Sequence, residues 1–92
     1  MLYCLIYNQN SSSGRKSKFI NKVLSKLKEN NSVEYFETKT INQAKKIFKD
    51  FKQKNYDRLV VAGGDGSVSF AINELIKNNF NFKDDFAIGY IP

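Results

Sequence analysis

One carboxylate in this chain stands where little would shield it. Asp65 lies between Gly63-Gly64 and Gly66-Ser67, directly after the apolar run Leu59-Val60-Val61-Ala62. Glycines let backbone approach a ligand closely. The first turn of a helix leaves N–H groups that can meet an anion. Val68, Ala71, Ile72, Leu75 and Ile76 follow at helical spacing, so the glycines join a buried strand to a helix. This pattern suits a phosphate cradle with an acid beside it. One glycine at such a junction would serve only the turn; three around an aspartate point to a ligand site. The plainer alternatives are that Asp65 stabilises the turn through its own backbone and that Ser67 is a simple helix cap.

A second polar turn, Asn8-Gln9-Asn10-Ser11-Ser12-Ser13-Gly14, ends the apolar run Leu2–Tyr7, which reads as a central strand buried on both faces. A helix follows with Phe19, Ile20, Val23, Leu24 and Leu27 on one stripe and lysines opposite, closed by Asn30-Asn31. Ser32–Thr38 reads as the second strand. Thr40 and Gln43 have capping-box spacing, before a helix whose buried stripe is Ile41, Ala44, Ile47, Phe48 and Phe51. Asp57 and Arg58 open the third strand, the third helix runs to about Lys77, and Phe86–Ile91 reads as a fourth strand. Such alternation predicts an α/β fold with a parallel sheet covered by helices on both faces. With right-handed crossovers and order 2-1-3-4, the turns after strands one and three meet at a switch point. That arrangement sets Asn8 to Gly14 beside Gly63 to Ser67.

Composition narrows the chemistry. At 92 residues the chain is one domain. With a single cysteine, Cys4, and no histidine, it holds neither an internal disulfide nor a zinc site of the usual ligands. The net charge of +6 favours anionic partners. Arg15, Lys16, Lys18, Lys22, Lys26 and Lys28 crowd one segment and read first as a solvated helix face. Nucleic acid is not expected as a partner, because the aromatics fall mainly on core stripes. The apolar start is too short for a membrane span and lacks a basic leader, so the expected compartment is cytoplasmic.

Asp57-Arg58-Leu59-Val60-Val61-Ala62-Gly63-Gly64-Asp65-Gly66-Ser67 closely resembles the G-G-D-G-T block of diacylglycerol kinase and sphingosine kinase catalytic domains. Asn8, Ser11 and Gly14 match the family's first turn, N-P-x-S-G-x-G, with Gln9 for its proline and Ser12 for a glycine. Thr38 and Ala44 have the spacing of the family's threonine after strand two and alanine in helix two. Asn73 matches an asparagine in helix three, and Gly89-Tyr90-Ile91-Pro92 resembles the strand leading into P-x-G-T-x-N-D. NAD kinases share G-G-D-G-T and phosphofructokinases share G-G-D-G-S, but the Asn-to-Gly turn and the closing Ile-Pro tilt the choice to lipid kinases. Ser13-Gly14-Arg15-Lys16-Ser17 is not a Walker loop, since its leading glycine and Gly-Lys-Ser order are missing.

The resemblance implies a Rossmann-like three-layer α/β/α sandwich that uses ATP and Mg²⁺ to phosphorylate a diacylglycerol-like hydroxyl. It gives Asp65 the role of activating that hydroxyl or organising Mg²⁺. Asn8, Ser11, Gly14, Gly63, Gly64, Gly66, Ser67 and Asn73 would meet the nucleotide. Three departures stand out: Ser67 for threonine, Phe70 where a nucleotide-site glutamate is common, and Glu74 where glycine is common. Residues 1–92 correspond to the family's N-terminal nucleotide-binding part, without its β-rich lobe. The expectation is therefore a chain that is inactive alone, takes lipid only with that lobe, touches the membrane peripherally at its inner face, and self-associates as a homodimer. Phe80, Phe82 and Phe86 beside the last strand suggest the apolar edge for that pairing. The alternatives are a non-catalytic nucleotide-binding or oligomerisation domain and a fragment of an NAD kinase-like enzyme.

Overall fold

A computed structural model describes residues 1–8, 16–83 and 85–91, with residues 16, 17 and 65 described by their backbone alone. Ser11, Gly14 and Arg15 lie outside the described residues. The elements run β1 (Leu2–Asn8), α1 (Lys16–Lys28), β2 (Ser32–Thr38), α2 (Ile41–Lys54), β3 (Arg58–Ala62), α3 (Asp65–Lys77) and β4 (Ala87–Ile91). All strand pairs are parallel, in the order β2-β1-β3-β4. This is the expected α/β sheet and strand order.

Successive side chains of a strand point to opposite faces, and the two hydrophobic cores follow that period. Cys4, Ile6, Leu59 and Val61 pack under Ala44, Phe48 and Phe51 of α2 and Ala71 and Leu75 of α3. Leu5, Tyr7 and Ala62 pack with Ile20 of α1 in a smaller cluster. Cys4 to Tyr7 are therefore all buried, which is why β1 shows no apolar–polar alternation. The result is three layers, with α1 on one face and α2 and α3 on the other.

Local signals fix the elements. The Thr40 hydroxyl accepts from the Gln43 N–H at 3.2 Å, and the Gln43 side chain accepts from the N–H groups of Thr40 at 3.3 Å and Lys39 at 2.7 Å. Asn55 ends α2 in the left-handed region, with φ 56°. Asp57 and Arg58 tie elements together at the amino end of the sheet. The Asp57 carboxylate accepts from the Leu2 N–H at 2.7 Å, and Arg58 donates to the Asp85 carbonyl at 2.5 Å.

Helical periodicity overstates what is buried. Phe19 is 52 % exposed, Ile41 64 % and Ile76 60 %, although each falls on a predicted core stripe. A five-residue stripe spans more of the helix circumference than one sheet face covers, so Ile20, Phe48, Phe51, Ala71 and Leu75 take the contact and the flanking residues stay in water. Phe80 and Phe86 differ in the other direction. Their rings sit 5.1 and 6.2 Å from that of Phe51 and help to floor the larger core, leaving Phe82 exposed.

One polar chain runs through that core. Tyr56 donates its hydroxyl to Glu34, and the Cys4 thiol lies beside it. Burial pushes the thiol from 9.0 up to about 12, and burial first, then the Glu34 hydrogen bond, raises the Tyr56 phenol as well. Both groups hold their protons more tightly folded than unfolded. The thiol's contribution is complete below pH 9.0 and is lost as pH rises toward 12, while the phenol's begins to be lost only above pH 10.0. We expect the unfolding free energy from urea titration to fall between pH 8 and pH 10.5, by at most about 1.4 kcal/mol per pH unit for each group. Cys4→Ala should flatten part of that fall; a flat profile in the unsubstituted chain would contradict it.

Candidate active site

The site is built where β1 and β3 end side by side. Tyr7 is in register with Ala62, so the backbone leaving each strand emerges at the same end of the sheet. Gly63 leaves β3 with φ 152°, a conformation that L side chains rarely adopt, while its N–H donates to the Ile91 carbonyl at 3.1 Å. Gly64 is the N-cap of α3, extended at φ −83°, ψ 175°, and has no side chain with which to cap. The helix then begins at Asp65.

This corrects the reading of Ser67 as a possible helix cap. Ser67 is the third residue of α3, and its own N–H donates to the Gly64 carbonyl at 2.9 Å. The glycine run is the start of the helix itself, because an extended Gly64 lets Asp65 adopt helical geometry at once. The Ser67 hydroxyl instead accepts from the Asn8 side-chain amide, at the long distance of 3.4 Å. Asn8 and Ser67, from the two polar turns, are thus brought together.

Gly66 follows a different logic. Among the described residues a Cβ there would meet no atom within 4 Å, so their packing does not require glycine at this point. Instead Gly66 opens onto a cavity of about 420 Å³ between α2 and α3, at the carboxyl ends of the strands. That volume is within the range of small-molecule sites. Ile6, Val61, Ala44, Phe48 and Phe70 form its apolar floor. Asn8, Gly66 and Ser67 contribute polar groups at the start of α3, and Thr38 and Lys39 do so from the end of β2. Phe70 is half-buried and meets Phe48 edge-on, with ring centroids 6.2 Å apart.

The sequence-predicted residues fall into three groups. Asn8, Gly66 and Ser67 line the cavity, and Gly63 and Gly64 shape the turn beside it. Asn73 is exposed, eight residues beyond Asp65 and so about 12 Å along α3, and is not part of the lining. Ser11, Gly14 and the Asp65 side chain lie outside what the structure describes. Residue patterning alone missed the wall from the β2–α2 turn, where Thr40 and Ile41 also line the cavity. The capping box was its signal, because it fixes how the chain leaves β2 and enters α2.

The profile of the diacylglycerol kinase catalytic domain matches residues 3–92. The chain belongs to this family. No protein of established function matches it significantly. A diacylglycerol kinase catalytic domain is a lipid kinase domain, and membership in a kinase family implies ATP use in general. Among the described residues, no helix is long and apolar enough to cross a membrane.

The two glycines should separate in a stability measurement. Gly63→Ala is expected to cost about 1–2 kcal/mol, since a Cβ strains that backbone. Gly66→Ala is expected to gain about 0.5–1 kcal/mol from better helix propensity. Urea unfolding of both variants reads this directly. A loss of stability in Gly66→Ala would mean that the glycine serves the fold.

Proposed function

We propose that this diacylglycerol kinase domain binds ATP in the crevice, with its base in the apolar cavity and its phosphates at the start of α3. The observation that carries this is continuity. A single space runs from the Phe48 and Phe70 rings to the helix start at Gly66. A flat base is served by apolar walls, and a polyphosphate by N–H groups at a helix N-terminus. Phe70 supports an apolar slot where a glutamate would bring charge.

Asp65 is the residue for the chemistry. Its backbone opens α3 beside Gly66, within the stretch where the phosphates would lie. In transfer, the oxygen of a diacylglycerol-like hydroxyl bonds to the γ-phosphorus, the bond to the departing ADP oxygen breaks, and the carboxylate takes the hydroxyl proton. Mg²⁺ fits the donor set in one way. Among the described residues no three His, Cys, Asp or Glu side chains cluster, so Asp65 and the nucleotide's own phosphate oxygens would hold the ion. Bound there, Mg²⁺ neutralises charge on the phosphates. Phe70 in the glutamate position also favours a second reading, a nucleotide-binding domain without transfer, which the same experiments separate.

Titration calorimetry should show Mg²⁺-dependent ATP binding near the millimolar range, about −4 to −5 kcal/mol. Asp65→Asn is expected to remove the Mg²⁺ dependence. Gly66→Ala should weaken binding at least fivefold, or about 1 kcal/mol, by placing a methyl in the phosphate path. Absence of heat at millimolar ATP with Mg²⁺ would reject the site. Labelled-phosphate transfer to diacylglycerol that survives Asp65→Asn would reject the base assignment, and binding without transfer would favour the second reading.

A further inference from the structure

The cavity beside Gly66 has a polar rim and an apolar floor, and the described residues of the floor cannot read a pattern of hydrogen bonds. Ile6, Ala44, Phe48, Val61 and Phe70 form that floor. Their backbones add no free group. Ile6 and Val61 lie in strands paired on both sides, and the other three lie inside α2 and α3. Their N–H and C=O groups are therefore taken up by the ladders and helices themselves. Phe48 is buried and supports Phe70 edge-on, with ring centroids 6.2 Å apart. Phe70 is only half-buried, so part of its ring is open to the cavity.

We infer that the crevice takes guanine nucleotides as readily as adenine nucleotides, selecting for a triphosphate and a flat ring and not for the edge of the base. The inference rests on the ATP site proposed above. Stacking on an aromatic side chain tolerates any base, because every base has a π-face. Adenine and guanine differ at their edges, where one carries an amino donor and the other a carbonyl acceptor. A site that hydrogen-bonds such a group rejects an analogue lacking it by about 10⁴-fold or more, a discrimination that apolar walls do not approach. Pushed against this floor, either edge would lose its water without gaining a partner, so the penalty falls on both bases alike. Laid flat on Phe70, either base keeps its polar edge toward the rim. Of the described rim residues, Asn8 and Ser67 are bonded to each other at the phosphate end. Thr38 and Lys39 stand at the end of β2. The Thr38 hydroxyl can donate or accept and so matches either base, whereas the Lys39 ammonium only donates, which favours the guanine carbonyl. The residual preference is therefore small and runs toward guanine.

The test is saturation-transfer NMR on the whole chain with Mg²⁺, using ATP as the reporter ligand and GTP or inorganic tripolyphosphate as competitor. GTP should displace ATP with an affinity within about fivefold of ATP's own. Tripolyphosphate has no ring to stack and should bind at least about fivefold more weakly than either nucleotide. Phe70→Leu should weaken ATP and GTP by about fivefold each and leave tripolyphosphate unchanged. Circular dichroism checks that this variant is folded, and Phe70→Met replaces it if it is not. GTP that fails to displace ATP at about 20-fold excess would overturn the inference and leave the ATP site standing. Tripolyphosphate that competes as well as GTP, or a Phe70 substitution that weakens neither nucleotide, would do the same. Absence of saturation transfer to ATP at millimolar concentration would instead reject the ATP site, and this inference with it.

Discussion

The structure depends on β1 being paired on both sides. It is the strand that both crossovers through α1 and α2 leave in the middle, with β2 parallel on one edge and β3 parallel on the other. Parallel pairing makes neighbouring strands end together, so the turns after β1 and β3 must begin beside each other. With helices in both layers, those turns rise over the sheet into a shared crevice, as at the switch points of other open α/β sheets. The contact between Asn8 and Ser67 follows from that pairing. Had β3 joined β2, the same residues would have been separated by a strand.

The sheet was legible because its physics is carried by residue type. Four consecutive buried residues in β1 exclude a half-exposed strand, and the Thr40–Gln43 pair announces the start of α2. Strand order needed one further rule, the hand of the crossovers. The glycine turn was legible as a site but not in its detail. Nothing in the letters Gly-Gly-Asp-Gly-Ser says which residue is the N-cap, because Gly64 and Ser67 both suit the position. Backbone conformation decides it. The exposed Phe19 and Ile41 were misread for a related reason. Periodicity gives a direction around a helix, whereas burial also depends on how much of that circumference a neighbour covers.

The glycines of one short motif answer to different constraints. Gly63 holds a backbone angle that the turn needs, Gly64 lets the helix begin early, and Gly66 leaves a space that none of the described residues fills. A glycine inside a helix costs up to about 1 kcal/mol relative to alanine. Where the surroundings would accept a methyl, that cost points to what approaches from outside. Local stability is given up where a ligand's backbone contacts would be made, the usual direction of trade between stability and activity.

The cavity and the larger core also share a wall. Phe48 lines the cavity and is itself 2 % exposed, stacked in sequence with Phe51, whose ring lies 6.1 Å away. Phe51 in turn contacts Tyr56, Phe80 and Phe86 toward the other end of the sheet. The aromatic packing that stabilises the domain is therefore continuous with the floor on which a nucleotide base would rest. A ligand that binds only the folded chain adds RT ln(1 + [L]/Kd) to stability. In a domain this small, that increment is set against a modest total, because a short chain buries a smaller fraction of its surface than a long one. Packing changes at Phe48 or Phe70 would then alter affinity and stability together. Changes at Gly66 would separate the two, since a side chain there would enter the cavity and not the core.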